Sequence, residues 1–238
     1  MSVEAADRMD VTVVTAGDRP LRELNREIRA AVAAGEHVEI HDTRSRHNLG
    51  IGLTGTGSVT FAGAVGYYCG GLLDGPTVTV RGNAGWAVGE SMAAGRVVVD
   101  GSTGMSAGAN IRGGLVHIKG RTGPRCGIAM KGGDIVVEGD VGYSSAFMSH
   151  HGRLVVLGNT SDGTGDSLWG GEVWVAGRIG GLGVDAVVTE PSAEQVHDVE
   201  ALLGSLGVDG SGREWKRVVS GQKLWHFSSR DAKAWLMI

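Results

Sequence analysis

The sequence predicts an all-β fold, a parallel β-helix of about seven turns with small caps at both ends, and three observations carry that expectation. Glycine supplies 42 of the 238 residues, far above its usual share of about 7%. Seven apolar stripes, "SVTFAG", "TVTVRG", "VVVDG", "LVHIKG", "DIVVEG", "LVVLG" and "EVWVAG", end in glycines spaced 19 residues apart, at Gly63, Gly82, Gly101, Gly120, Gly139, Gly158 and Gly177. Within each stripe, apolar residues alternate with the two-residue period of a half-buried strand. A fixed period of this kind marks a repeat architecture, and a 19-residue unit with one good strand is too short for a strand–helix repeat.

The first 48 residues read as an N-terminal cap of helix plus strand. In "DRPLRELNREIRAAVAA", residues 18–34, Asp18 stands as a helix N-cap, Pro20 falls in the first turn, and Leu21, Leu24, Ile28 and Val32 share one face. Gly35 ends the helix and "HVEI" follows as a strand.

Residues 49–186 form the solenoid. Further glycine columns stand at Gly66, Gly85, Gly104, Gly123 and Gly142, at Gly70, Gly89, Gly108 and Gly127, and at Gly95, Gly114, Gly133 and Gly152, so the glycines mark corners. Two aliphatic columns point inward: Val59, Val78, Val97, Val116, Ile135, Leu154, Val173, and Phe61, Val80, Val99, Ile118, Val137, Val156, Val175. The column between them, from Thr60 to Val155 and Trp174, is mixed and reads as an outer face whose last members lie under a partner.

Equivalent residues of successive turns stack about 4.8 Å apart. The column Arg81, Asp100, Lys119, Glu138 alternates in sign and is expected to form a ladder of ion pairs, as is Asp134, Arg153, Glu172. Cys69 and Cys126 fall in one column three turns apart, about 14 Å on that stacking distance. That exceeds the Cα separation of about 7 Å that a disulfide tolerates, so both are expected as free thiols filling the core.

Residues 187–238 read as a C-terminal cap and docking tail. "SAEQVHDVEALLGSLG" is a helix capped by Ser192 with Glu194 close behind. The tail gathers Trp215, Trp225, Phe227, Trp235 and Leu236, which either fold back over the last turn or reach a partner. Trp174, Trp215, Trp225 and Phe227 are the expected partner contacts.

Charge and motifs exclude several functions. A formal net charge of -4 gives no basic surface for nucleic acid and no polybasic membrane patch. "MSVEAADRMD" lacks the basic and apolar regions of a signal peptide, and no apolar run reaches 18 residues, so a cytoplasmic protein is expected. "GNAGWAVGESMAAGRVVVDG" spaces its glycines as G-x-x-G-x-x-x-G and leads into a strand, whereas a dinucleotide site needs G-x-G-x-x-G opening a helix. No Walker or G-x-S-x-G motif occurs, and the eight histidines form no zinc pattern. His150 and His151 read as a solvated corner bulge. Asp100 and Glu138 have opposite charges in their own stack, and Asp162 and Asp166 lie in a locally irregular turn without a calcium-repeat array around them. No catalytic, cofactor-binding or metal-ligating residue is expected in this chain.

Residues 48–186, from "NLGIGL" to "GRIGGLGVDA", resemble the GXGXG domain family. "GNAGW", "IRGG", "MKGG", "GRIGGLG" and "SGQKLW" are most similar to its stand-alone members, the β-helix subunits of N-methylglutamate synthase and the GlxC-type proteins. The resemblance implies a right-handed β-helix like that at the C-terminal end of the glutamate synthase large subunit. It implies a non-catalytic, cytoplasmic scaffold in a hetero-oligomer, with a class II glutamine amidotransferase subunit and an FMN-dependent glutamate synthase-like subunit that carries FMN and an Fe-S cluster. In such a complex the β-helix holds the two centres in register and helps wall the ammonia route. A scaffold like the β-helix component of formylmethanofuran dehydrogenase is the second expectation, and an independent carbohydrate-binding or lyase β-helix is the third.

Overall fold

The computed structural model describes residues 11–224. It is built around one sheet in which β1 (Val11–Thr15), β2 (His37–His41), β3 (Ser58–Phe61), β4 (Thr77–Val80), β5 (Arg96–Val99), β6 (Leu115–Ile118), β7 (Lys131–Val137), β8 (His151–Val156) and β9 (Glu172–Val175) pair successively and in parallel. From β3 to β9 the partners follow the 19-residue register, for instance Val59 with Val78, Val78 with Val97 and Leu154 with Val173, except at the start of β7, where Lys131 pairs with His151 and the register shifts before Asp134. The result is a β-solenoid of about seven turns. Shorter bridges such as Val65–Ala84–Thr103–Thr122 build a second wall. Both predicted inward columns are buried and fill the lumen with interlocking Val, Ile, Leu and Phe side chains.

Two physical causes place the glycines. At the strand-ending corners successive turns nearly touch: a Cβ on Gly139 would lie 2.8 Å from the Gly120 carbonyl oxygen, inside any permissible contact. In the Gly70, Gly89, Gly108, Gly127 column the backbone is left-handed, with φ between 64° and 69°, a region where Cβ crowds the following carbonyl. Ala146 takes that conformation at φ 59°. Two flanking columns do so without glycine: Tyr68, Ala87, Ser106, Arg125 and Ser144, and Leu72, Ser91, Asn110, Ala129 and Met148. A glycine count alone therefore underestimates how much left-handed backbone each turn contains.

The N-terminal cap departs from expectation in two ways. β1 is an additional strand; its "VTVVT" alternates, but only Val14 turns inward, and it carries no corner glycine. α1 (Leu21–Ala33) follows Pro20 with no side-chain cap. Asp18 is too far upstream to reach the helix N–H groups, and its carboxylate instead accepts from Arg44 Nη1 at 2.7 Å. Leu24, Ile28 and Val32 of α1 join the lumen core. Asn25, also buried on that face, donates from Nδ2 to the Asn48 carbonyl at 2.7 Å and accepts from the Gly50 N–H at 2.9 Å, fastening the helix to the first turn.

At the other end parallel growth stops. Among the described residues β10 (Ala186–Thr189) pairs only with β11 (Lys216–Ser220), which inserts antiparallel between it and β9. α2 (Ala193–Gly204) lies between them in sequence, opened by a capping box. Ser192 accepts from the Gln195 N–H, and Gln195 rather than Glu194 returns the bond, because residue 195 is the third helical position.

Candidate partner-facing surface

The mixed column is less exposed than its sequence implies: Thr60, His117, Val136, Val155 and Trp174 are all buried. Val136, Val155 and Trp174 form a second core with Val199 and Leu203 of α2 and with Trp215. The chain's own C-terminal segment is thus what covers Val155 and Trp174. Trp174 is 2% exposed and Trp215 4%, and their rings meet edge to face at 6.4 Å. In the isolated chain neither expected contact presents surface to a partner, because each packs against the other in the core under α2. Trp225 and Phe227 lie outside the described residues, as do Trp235 and Leu236.

The predicted charge ladder is only partly made. Lys119 Nζ pairs with Asp100 at 2.6 Å, and that bond raises the lysine pKa. Arg81 reaches back to Glu39 at 3.6 Å instead of to Asp100, and Glu138 lies 2.9 Å from His117 Nε2. In the second column Arg153 grips Asp134 with Nε at 2.7 Å and Nη2 at 3.1 Å. Glu172 turns to Arg217, which donates from Nε at 3.0 Å and from Nη2, while Trp174 Nε1 donates to Glu172 at 3.0 Å. Two arriving donors hold the Glu172 carboxyl below its usual range, Arg217 foremost. Stacking set which charges came near, and the C-terminal strand then drew one of them away.

A column after each corner links successive turns through bonds that charge alternation does not reveal. Asn83 accepts from the Ser102 N–H at 2.8 Å, Asp140 from the Asn159 N–H at 2.6 Å, and Asn159 from the Arg178 N–H at 2.9 Å. Asn, Ser and Asp recurring one residue past the corner glycine were the available signal.

An exposed aromatic feature among the described residues was also missed. His47, Tyr67 and Trp86 stack in parallel down one outer corner, with ring centroids 4.2 Å and 4.7 Å apart. Trp86 is 49% exposed, and Tyr143, three turns along the same column, is 56% exposed. Tyr68 and Leu72 flank the stripe and are open to solvent. The signal was the outward column Tyr67, Trp86, Met105, Pro124, Tyr143, read at 19-residue spacing.

Nucleophiles and metal ligands do not converge among the described residues. Cys69 and Cys126 are free and buried, and burial pushes both thiols up, Cys126 to about 12. Among the described residues no group of three or more His, Cys, Asp or Glu could hold a metal ion. His150 has a lowered pKa, first from burial and then from Lys131 and His151. No helix among the described residues is long and apolar enough to cross a membrane.

Fold and surface together define a glycine-cornered parallel β-solenoid with a stiff core and an exposed aromatic stripe. The chain belongs to the GXGXG motif family, whose match spans residues 18–198. It is similar to Protein GlxC of Rhizobium meliloti (strain 1021), 48% identical over 226 residues that cover 94% of this chain and 99% of that protein.

Proposed function

We propose that the chain is the β-helix subunit of a glutamate synthase-type complex of the N-methylglutamate synthase kind. It scaffolds a class II glutamine amidotransferase subunit and an FMN and Fe-S synthase subunit, and helps wall the ammonia route between them. Family membership and the GlxC likeness support the assignment to a glutamate synthase-related system. The observation that carries the scaffold role is the exposed stripe of Trp86, Tyr143, Tyr68 and Leu72 on a rigid stacked wall. Large apolar surfaces of this kind mark protein interfaces.

The cofactors fit a partner better than this chain. Fe-S clusters are held by several cysteine thiolates, and the two cysteines here are buried, high in pKa and three turns apart. On this reading the amide-releasing, flavin and Fe-S chemistry belongs to other subunits, and this chain contributes position and surface.

Co-expression with its neighbouring reading frames and purification through this chain is the test. A yellow, flavin-containing complex with glutaminase activity is the expected result; molybdenum or tungsten pterin, or a colourless monomer that binds oligosaccharide, overturns it. The double variant Trp86→Ser and Tyr143→Ser should lower partner retention at least about tenfold, since interface aromatics are typical hot spots. Asp100→Ala or Glu138→Ala alone should leave retention intact: Asp100 belongs to an exposed pair with Lys119 worth about 1 kcal/mol or less, and Glu138 spends its carboxylate on the buried His117 of its own chain.

A further inference from the structure

At the corner that opens each strand, one column breaks the sign alternation of the ion-paired columns. Arg112, Lys131 and His150 follow one another at 19-residue spacing, and the register shift at the start of β7 sets His151 rather than His150 opposite Lys131. The backbone N–H groups of both histidines approach the Met130 carbonyl, at 2.7 Å and 3.4 Å, so the two imidazoles share one bulge beside Lys131. All four residues are exposed.

Like charges at neighbouring positions of a stack repel, and the described residues do not offset the repulsion here. Neither Arg112 nor Lys131 enters an ion pair or a side-chain hydrogen bond among them. Asp134, the nearest acid along β7, gives both carboxylate oxygens to Arg153. Asp74 stands in the same column two rungs before Arg112, with Ala93 between them, about 10 Å away on the stacking distance. After burial, Lys131 and His151 are what lower the His150 pKa. In a chain of net charge -4, this corner is a cationic strip left without its counter-charge.

We propose that the corner formed by Arg112, Lys131, His150 and His151 docks an acidic segment of a protein partner. Carboxylates on one face of an extended segment recur about every 7 Å, within reach of two long cationic side chains on adjacent rungs, and the imidazoles add donors at one end of the strip. A protein partner supplies further contact area elsewhere, so a few charges suffice to set register and speed encounter. Nucleic acid fits less well, because its affinity grows with the number of phosphates neutralised and two permanent cations neutralise about two. An anionic membrane calls for clusters of about four to eight basic residues. Docking of this kind does not depend on the subunit assignment above.

Amide NMR of the full chain, titrated with a decaglutamate peptide at about 20 mM salt, where exposed charges are little screened, is the test. Saturating shifts should centre on residues 111–113, 130–133 and 149–152, with a Kd below about 1 mM. The double variant Arg112→Gln and Lys131→Gln should weaken the peptide about tenfold or more without lowering the unfolding midpoint, because it removes a repulsion rather than a bond. Arg22→Gln with Arg26→Gln, which takes the same net charge from the exposed face of α1, should leave the affinity unchanged. Shifts that do not saturate or that centre elsewhere overturn the proposal. So do equal losses in the two double variants, or decathymidylate or phosphatidylserine vesicles binding the same corner as tightly as the peptide.

Discussion

Gly108 and Ser106 sit two residues apart in the same turn, both in left-handed backbone at φ 64° and 62°, yet they should respond oppositely to substitution. A Cβ at Gly108 would also collide with the Ile135 side chain across the lumen. Gly108→Ala therefore adds conformational strain of about 1–3 kcal/mol to overpacking of similar size. Ser106 already bears a Cβ, so Ser106→Gly removes roughly 1–2 kcal/mol of left-handed strain against an entropic cost of about 0.5–1 kcal/mol. The net change at Ser106 should lie between zero and about 1.5 kcal/mol stabilising. Urea unfolding midpoints of the two variants check both; equal destabilisation would show that glycine here serves only close packing. The glycine columns were legible because a repeat displays the same constraint many times over. The left-handed positions at Ala87, Arg125 and Met148 were not, because nothing in an alanine, arginine or methionine distinguishes left-handed from extended backbone.

Elements were legible where periodicity was strong and failed where one element's meaning depended on another. Strand register from β3 to β9 follows directly from the 19-residue spacing. The outward Val136, Val155 and Trp174 signalled a cover, but sequence spacing cannot say whether that cover is another chain or α2 returning from 25 residues downstream of Trp174; it is α2. Likewise the stacking register points Glu172 at the Arg153 ladder, and β11 brings Arg217 against it instead. That pair gives the C-terminal cap an acid-sensitive fastening. The folded Glu172 carboxyl titrates below its unfolded value of about 4.5, so its stabilisation is present above that pH and is lost as pH falls through the folded pKa. Trp174 and Trp215 report on the cap, so tryptophan fluorescence followed from pH 7 downwards should change below about pH 4.5. Arg217→Gln should shift that transition to higher pH, since the carboxyl loses its main partner; an unmoved transition would place the acid sensitivity elsewhere.

On the scale of the whole molecule, a parallel solenoid has no intrinsic end: each turn offers the next the same unpaired strand edge and the same open lumen. Stability in such stacks comes from contacts between neighbouring turns, so an uncapped last turn is the weakest and the most adhesive. Here termination is built from direction reversal. β11 runs antiparallel on β9, so a further parallel turn cannot pair with the β9 edge, and Val218 enters the lumen core while α2 covers the outer face. Removing residues 187–238 should therefore do more than subtract a tail. It strips Val218 from the lumen, uncovers Val155 and Trp174, and frees the N–H and C=O row of β9 in one step. A chain ending at residue 186 should sediment as a concentration-dependent oligomer or aggregate and bind a hydrophobic dye, whereas one ending at Leu224 retains every described cap contact and should stay dispersed on this account. A monomeric truncation at residue 186 would mean that the turns themselves, and not the reversed strand, stop this solenoid from growing end to end.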